Sequence, residues 1–175
     1  MGLDQWLYAK KYASDSEFLG AERKALYRKL KDAIGDDAKY QGGFLKSMSV
    51  EMEVAYWRKA NAIHAWFVEN CQGGEDDCRT SHVTREQLEN LMNVCKEVRD
   101  DHDKADDLLP MRSGFFFGST DYDEYYFTDI KNTIKQLKKV LALDNTWELY
   151  WYCSFIWFKY IQRSNKCCSR SITSN

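Results

Sequence analysis

Proline is scarce in this sequence, where Pro110 is the only example among 175 residues. Because proline lacks a backbone N–H and breaks helices, its scarcity favours long uninterrupted helices. The length is that of about one domain, on the usual allowance of roughly 100 to 200 residues. No internal repeat and no stretch rich in proline, glycine or serine divides the body, so we expect one domain over residues 1–158.

An excess of charge of one sign is also lacking. The 25 lysines and arginines nearly balance 27 acidic residues and leave a formal net charge of −2. This balance supplies no global attraction to nucleic acid or anionic lipid, so we expect no duplex nucleic acid as a partner. The apolar run at residues 149–158 is about half as long as a bilayer requires, and we expect no transmembrane span.

The opening residues have no basic region followed by an apolar stretch, which is the pattern of a secretory leader. The six cysteines therefore do not indicate a secreted disulfide framework, and we expect reduced thiols in a cytosol. A zinc set could be drawn from Cys71, Cys78, His82 and Cys95. However, six residues separate Cys71 from Cys78, whereas zinc-binding pairs usually stand two to four residues apart. We predict no metal and no cofactor.

Familiar catalytic motifs are missing too, since the sequence has no GxSxG elbow, no P-loop and no HExxH. This absence favours a binding protein over an enzyme. Aromatic residues, by contrast, are abundant at 15% of the chain, more than a core needs. Their large contact area and low rotamer entropy suit a stacking or binding surface.

Residue periodicity predicts an α+β fold. Alternating patterns indicate strands at residues 3–11 and from Trp147 onward. Helical spacing indicates four dominant helices. The first is capped by Ser14 or Ser16 and ends at Gly35, and the second covers about Glu51–Asn70. The third begins with the capping box of Thr84 and Gln87, and the fourth has Asp121 and Glu124 at N-cap and N3 spacing. Residues 44–53 could be a short strand or the approach to the second helix. Because a two-stranded hairpin alone is marginal, we expect the N- and C-terminal strands to pair with each other, or with this segment, in a small antiparallel sheet.

The second predicted helix carries the first candidate ligand-binding residues, Tyr56, Trp57, Arg58, Lys59, Asn61 and His64. On a helix, Trp57, Asn61 and His64 would line up along the edge of the buried face. Arginine and lysine hold phosphate while aromatic rings stack on a base, so this set suits a nucleotide-type anion. The alternative is that the ring residues only pack and the two cations are solvated.

A glycine-bracketed aromatic loop leads to the second candidate group, Ser119, Thr120, Asp121, Asp123, Glu124 and Tyr125. Clustered carboxylates could bind Mg²⁺ or Ca²⁺, or one of them could have a raised pKa for acid–base work. The alternative is helix capping, because acidic side chains are favoured at a helix N-terminus.

Residues 159–175 form a polar, basic segment with the pair Cys167 and Cys168, and we expect a flexible tail. An aromatic strand followed by basic residues and two cysteines also fits an interfacial anchor completed by palmitoylation.

Three segments together resemble an uncharacterised family of small bacteriophage and prophage proteins. They are MGLDQWLYAKKY at residues 1–12, YWRKANAIHAWF at residues 56–67 and SGFFFGSTDYDEYYF at residues 113–127. The resemblance covers about residues 1–157 and implies a phage setting, with the host cytoplasm as the expected location. It implies no established activity, and the basic tail continues beyond the family's usual end.

These observations predict a non-enzymatic phage binding protein. It would sequester a nucleotide-type small molecule or block a host or defence protein, an anti-defence role. The alternative is a small enzyme acting on a phosphorylated small molecule, with His64 as the acid–base residue and Asp121, Asp123 or Glu124 holding a metal. The oligomeric state and the identity of the ligand or partner do not follow from the sequence.

Overall fold

The computed structural model describes residues 3–18, 20–35, 39–40, 43–44, 46–112 and 121–155. The strands are β1 (Leu3–Ser14), β2 (Lys39–Tyr40), β3 (Gly43–Phe44), β4 (Ser47–Arg58), β5 (Ser81–Val83) and β6 (Glu148–Phe155). The α-helices are α1 (Ala21–Ile34), α2 (Asn61–Gln72), α3 (Arg85–Asp100), α4 (Ala105–Leu108) and α5 (Glu124–Leu141). The predicted α+β class is confirmed, with the short α4 added to the four predicted helices.

Four antiparallel strands form the main sheet in the order β4-β1-β6-β5. The predicted pairing of the terminal strands is confirmed, because Tyr8 of β1 lies opposite Tyr150 of β6 and Trp6 lies opposite Tyr152. Within the described residues, the strands β2 and β3 pair only with each other. The N-terminal strand is therefore central to the sheet rather than at its edge.

The core lies between one face of this sheet and helices α2, α3 and α5. Successive odd-numbered residues of β1, from Leu3 to Ala9, are fully buried and the even-numbered ones are half-buried, as the alternating pattern predicted. Trp151 of β6 is buried in the same cluster and stacks on Phe67 of α2 with ring centroids 5.0 Å apart. Helix α2 is buried at every position from 61 to 68, which is typical of a helix that is apolar on all sides.

The predicted helix over Glu51–Asn70 is wrong in its first half. Residues 51–58 belong to β4, which pairs with β1 over its full length, and α2 begins only at Asn61. The register shifts between Leu7 and Tyr8, which leaves Val54 as an extra residue in β4. This bulge moves the inward side of β4 from even to odd positions and so hides the strand's alternation.

The helix ends agree with the sequence in two places and differ in two. Thr84 and Gln87 form the predicted capping box of α3, and Gly35 follows α1 with a positive φ of 63°. The predicted caps Ser14 and Ser16 are wrong, because Ser14 ends β1 and α1 begins after Gly20 without a side-chain cap. The N-cap of α5 is Asp123 rather than Asp121, since its carboxylate accepts a hydrogen bond from the N–H of Tyr126 at 3.0 Å.

Two of the predicted segments, the aromatic loop with Ser119 and Thr120 and the tail at residues 159–175, lie outside the described residues. Crossing a bilayer takes a longer and more apolar helix than any that the described residues form.

Candidate functional site

A pocket of about 390 Å³ lies between the β4–α2 junction and the first two turns of α5. It brings together two groups that the sequence placed in separate segments, and the six predicted site residues at its wall are Arg58, Lys59, Asn61, Asp121, Asp123 and Tyr125. Its volume falls within the range of about 300 to 1,000 Å³ that small-molecule sites occupy.

Lys59 makes the turn from strand to helix. Its φ of 58° is left-handed, a conformation that costs a non-glycine residue of the order of 1 to 2 kcal/mol. Its N–H donates to the Leu3 carbonyl at 2.8 Å, which ties this turn to the first residue of β1. Arg58 and Lys59 are both exposed, and they place two consecutive cations on the pocket wall.

Asn61 builds the pocket wall rather than offering groups to a ligand. Its Nδ2 donates to the Arg112 carbonyl at 2.5 Å, and its Oδ1 accepts from the Arg112 N–H at 3.0 Å. Asn61 is buried, with only 2% of its surface exposed to solvent. Asn61 therefore fixes the segment that includes Met111, which also lines the pocket.

Trp57 and Tyr56 lie on β4 and point to opposite sides of it. The Trp57 Nε1–H donates to Thr133 Oγ1 at 2.9 Å, and its ring packs on Phe67, so the indole belongs to the core. The Tyr56 hydroxyl donates to Asp4 Oδ1 at 2.5 Å. Tyr56 lines a neighbouring shallow groove with Lys135 and Lys139.

His64 does not reach the pocket. It is buried, its ring lies 5.5 Å from that of Trp151, and its Nε2 lies 3.4 Å from Asp76 Oδ1. The predicted strip of Trp57, Asn61 and His64 therefore does not exist as one helical edge, because the chain changes from strand to helix at residues 59–60.

Asp129 is a pocket residue that sequence reasoning missed. Burial, followed by the nearby Asp123 carboxylate, raises the pKa of Asp129 to about 6. It stands three residues from Tyr126 and four from Thr133, both buried, so it borders the inward face of α5. That i, i+3, i+4 spacing was the available signal, because such neighbours share a helix face.

Of the remaining candidates in the second group, Tyr125 lines the pocket and Glu124 does not. Glu124 is exposed at the start of α5 and is not among the residues that line the pocket. Tyr125 is 82% exposed at the pocket mouth, and its ring is accessible from solvent. The wall thus combines two cations, three aspartates and one accessible aromatic ring.

Comparison with known proteins produced no match to the chain among protein-family models, curated proteins or solved structures.

Proposed function

We propose that this chain is a non-enzymatic binding protein that holds a nucleotide-type anion in the pocket between the β4–α2 junction and α5. The observation that carries the proposal is the placement of Arg58 and Lys59 on the same 390 Å³ pocket as the accessible ring of Tyr125. A phosphate and a planar base require these two kinds of group close together.

The charges of the wall fit the parts of a nucleotide. Arg58 and Lys59 donate hydrogen bonds to phosphate oxygens, and arginine can do so with two parallel N–H groups. Asp121 and Asp123 can accept hydrogen bonds from ribose hydroxyls or from an amino group of the base. Tyr125 supplies a face for stacking, a contact worth about 1 to 3 kcal/mol per base in other proteins.

The resemblance to phage and prophage proteins supports a biological setting for such binding. A phage protein that holds a nucleotide without altering it removes that nucleotide from the host, which is useful if the nucleotide is a defence signal. We therefore propose sequestration in the host cytoplasm as the role, in preference to direct blocking of a host protein.

Asp129 favours a second candidate, an enzyme acting on a phosphorylated small molecule. A carboxyl with a pKa of about 6 can give or take a proton near neutral pH, and it faces the same pocket. His64, the residue first considered for this role, lies outside the pocket, so Asp129 takes its place in this alternative.

Calorimetric titration with the four common nucleoside 5′-monophosphates, adenosine and inorganic phosphate tests the proposal. We expect at least one nucleotide to bind one per chain with a Kd below about 1 mM, which corresponds to about −4 kcal/mol. Adenosine and phosphate alone should each bind at least about tenfold more weakly, because each lacks one half of the recognised groups. Failure of all four nucleotides to bind would contradict the proposal.

Recovery of the ligand separates the two candidates. After prolonged incubation and denaturation of the protein, chromatography should return the bound nucleotide unchanged. A new product whose formation is lost in Asp129→Asn would instead establish the enzyme.

A further inference from the structure

Outside the pocket, His64 of α2 lies close to three side chains of the types that bind zinc: Asp76, Cys78 and Cys153. One imidazole nitrogen of His64, one carboxylate oxygen of Asp76 and the Cys153 Sγ all lie within 4.8 Å of one another. Cys78 Sγ lies 3.1 Å from Cys153 Sγ. They come from helix α2, from the loop after it and from strand β6, so the fold assembles this cluster from distant parts of the chain.

We propose that His64, Asp76, Cys78 and Cys153 bind one Zn²⁺ ion that fastens the 73–80 loop to α2 and β6. This metal cluster differs from the zinc set that the sequence could suggest. It includes Cys78 but has His64, Asp76 and Cys153 in place of Cys71, His82 and Cys95, and it departs from the prediction of no metal.

Two ligand–ligand distances can be compared with a tetrahedral zinc site. Nitrogen and oxygen ligands at about 2.0 to 2.1 Å from a tetrahedral zinc lie about 3.4 Å from each other. The His64 Nε2 and the Asp76 Oδ1 are already 3.4 Å apart. Two thiolates at about 2.3 Å from the metal lie about 3.8 Å apart. The two sulfurs must therefore separate by about 0.7 Å beyond their 3.1 Å distance. Cys78 lies outside the group of three whose ligand atoms are all within 4.8 Å of one another, so its thiol must also move toward His64 and Asp76 on zinc binding.

Cys78 sits on the loop, where such a shift is possible, and its backbone is already unusual. Its φ of 56° is left-handed, and strained residues of this kind cluster at ligand clamps. The loop is held close by Gln72 and Arg79: Gln72 Nε2 donates to the Arg79 carbonyl at 2.9 Å, and Arg79 Nη2 donates to the Gln72 carbonyl at 2.6 Å. These bonds keep Asp76 and Cys78 near the end of α2.

The surroundings favour a transition metal with a route from solvent. The His64 side chain is 2% exposed, whereas the Asp76 side chain is 32% exposed and forms the open side of the metal cluster. Imidazole and thiolate ligands select zinc over magnesium and calcium, which prefer oxygen donors. The four ligands complete the coordination shell, as in zinc sites whose role is structural.

Metal titration of the full chain in buffer with a non-thiol reductant tests the metal cluster. Co²⁺ should produce a thiolate-to-metal charge-transfer band and tetrahedral visible bands that saturate at one ion per chain, and Zn²⁺ should displace it. Zn²⁺ at roughly a hundred times its Kd should raise the melting temperature by about 5 °C or more.

Single variants identify the ligands. Cys153→Ser and Asp76→Asn should each weaken Co²⁺ binding by at least about tenfold, since the first replaces a thiolate with a weakly coordinating hydroxyl and the second replaces a carboxylate with a neutral amide. Cys71→Ser, which changes a half-buried cysteine outside the metal cluster, should bind like the wild type. Asp76 is accessible, so Asp76→Asn keeps the test decisive if Cys153→Ser fails to fold.

Three results would overturn the proposal. The first is the absence of both a Co²⁺ spectrum and a zinc-dependent shift in melting temperature for the wild-type protein in reductant. Another is equal Co²⁺ affinity in Cys71→Ser, Cys153→Ser and Asp76→Asn. The third is a Cys78–Cys153 disulfide in the purified protein that leaves no metal binding after its reduction, because the sulfur pair would then serve only as a cross-link.

Discussion

Trp57 and Asn61 have the side-chain chemistry of ligand-binding residues, but their polar atoms are used inside the fold. The indole N–H of Trp57 bonds to Thr133, and the amide of Asn61 bonds to both backbone groups of Arg112. Buried polar groups need such partners, because leaving one unpaired costs about 1 to 3 kcal/mol. At the residue scale, burial therefore decides which polar side chains remain available for a ligand.

Thr133→Val should lower the free energy of unfolding by about 1 to 3 kcal/mol, because it leaves the buried Trp57 N–H without an acceptor at nearly unchanged volume. Thr128→Val, at an exposed position of the same helix, should change stability by no more than about 0.5 kcal/mol. Denaturant unfolding of both variants makes the comparison. Equal effects would show that the Trp57–Thr133 hydrogen bond contributes nothing measurable.

Asp129 makes a prediction about pH. Because its pKa is raised to about 6 in the folded chain, the folded state binds this proton more tightly than the unfolded state does. Its contribution to stability is therefore fully present below about pH 4, near the unfolded pKa, and is lost as the pH rises through 6. Asp129→Asn does not titrate, so it should gain in melting temperature relative to the wild type between pH 4 and pH 7. A difference between the two proteins that stays constant with pH would contradict the raised pKa.

At the element scale, α3 and β4 show what local sequence patterns can and cannot predict. The start of α3 is determined by neighbouring residues, so the capping box of Thr84 and Gln87 was visible in the sequence. Strand β4 is stabilised by distant partners in β1, and the bulge at Val54 shifts its alternation halfway along. Residues 51–58 therefore matched a helical pattern, and only pairing with a distant strand decides their structure.

Thr84→Ala should lower the free energy of unfolding by about 1 kcal/mol, because the N–H of Gln87 loses its side-chain acceptor at the N-terminus of α3. Thr84→Ser keeps the hydroxyl and should unfold like the wild type. Chemical denaturation of the two variants measures the cap. A serine variant as unstable as the alanine variant would assign the loss to packing of the Thr84 methyl group instead.

For the whole molecule, the sheet was predictable and the sites were only partly so. Alternation in the two terminal strands predicted that both belong to one small sheet, and the register of Tyr8 with Tyr150 confirms it. The pocket is formed by two segments about 60 residues apart. The sequence predicted candidate ligand-binding residues in each segment from their side-chain types, but it did not predict Asp129. The metal cluster joins His64 to Cys153, and nothing in the spacing of those residues indicates their proximity.

Removal of residues 159–175 should leave the melting temperature nearly unchanged, because this polar and basic segment offers little apolar surface for packing against the body. Thermal unfolding of chains ending at residue 158 and at residue 175 gives the comparison. A loss of several degrees, which for a chain of this size means roughly 1 to 2 kcal/mol, would make the segment part of the fold.

The most direct test of nucleotide binding is the calorimetric affinity of Lys59→Gly for the best-bound nucleoside monophosphate, measured beside Lys138→Gln. Glycine adopts the positive φ of residue 59 without strain, so Lys59→Gly should remove the charge and keep stability within about 1 kcal/mol of the wild type. Lys138→Gln removes an exposed lysine of α5 that is not among the pocket residues. We predict at least about a tenfold loss of affinity in Lys59→Gly, equivalent to about 1.4 kcal/mol, and no change in Lys138→Gln. Equal affinities in the wild type and in a folded Lys59→Gly would contradict the assignment of this pocket as the nucleotide site.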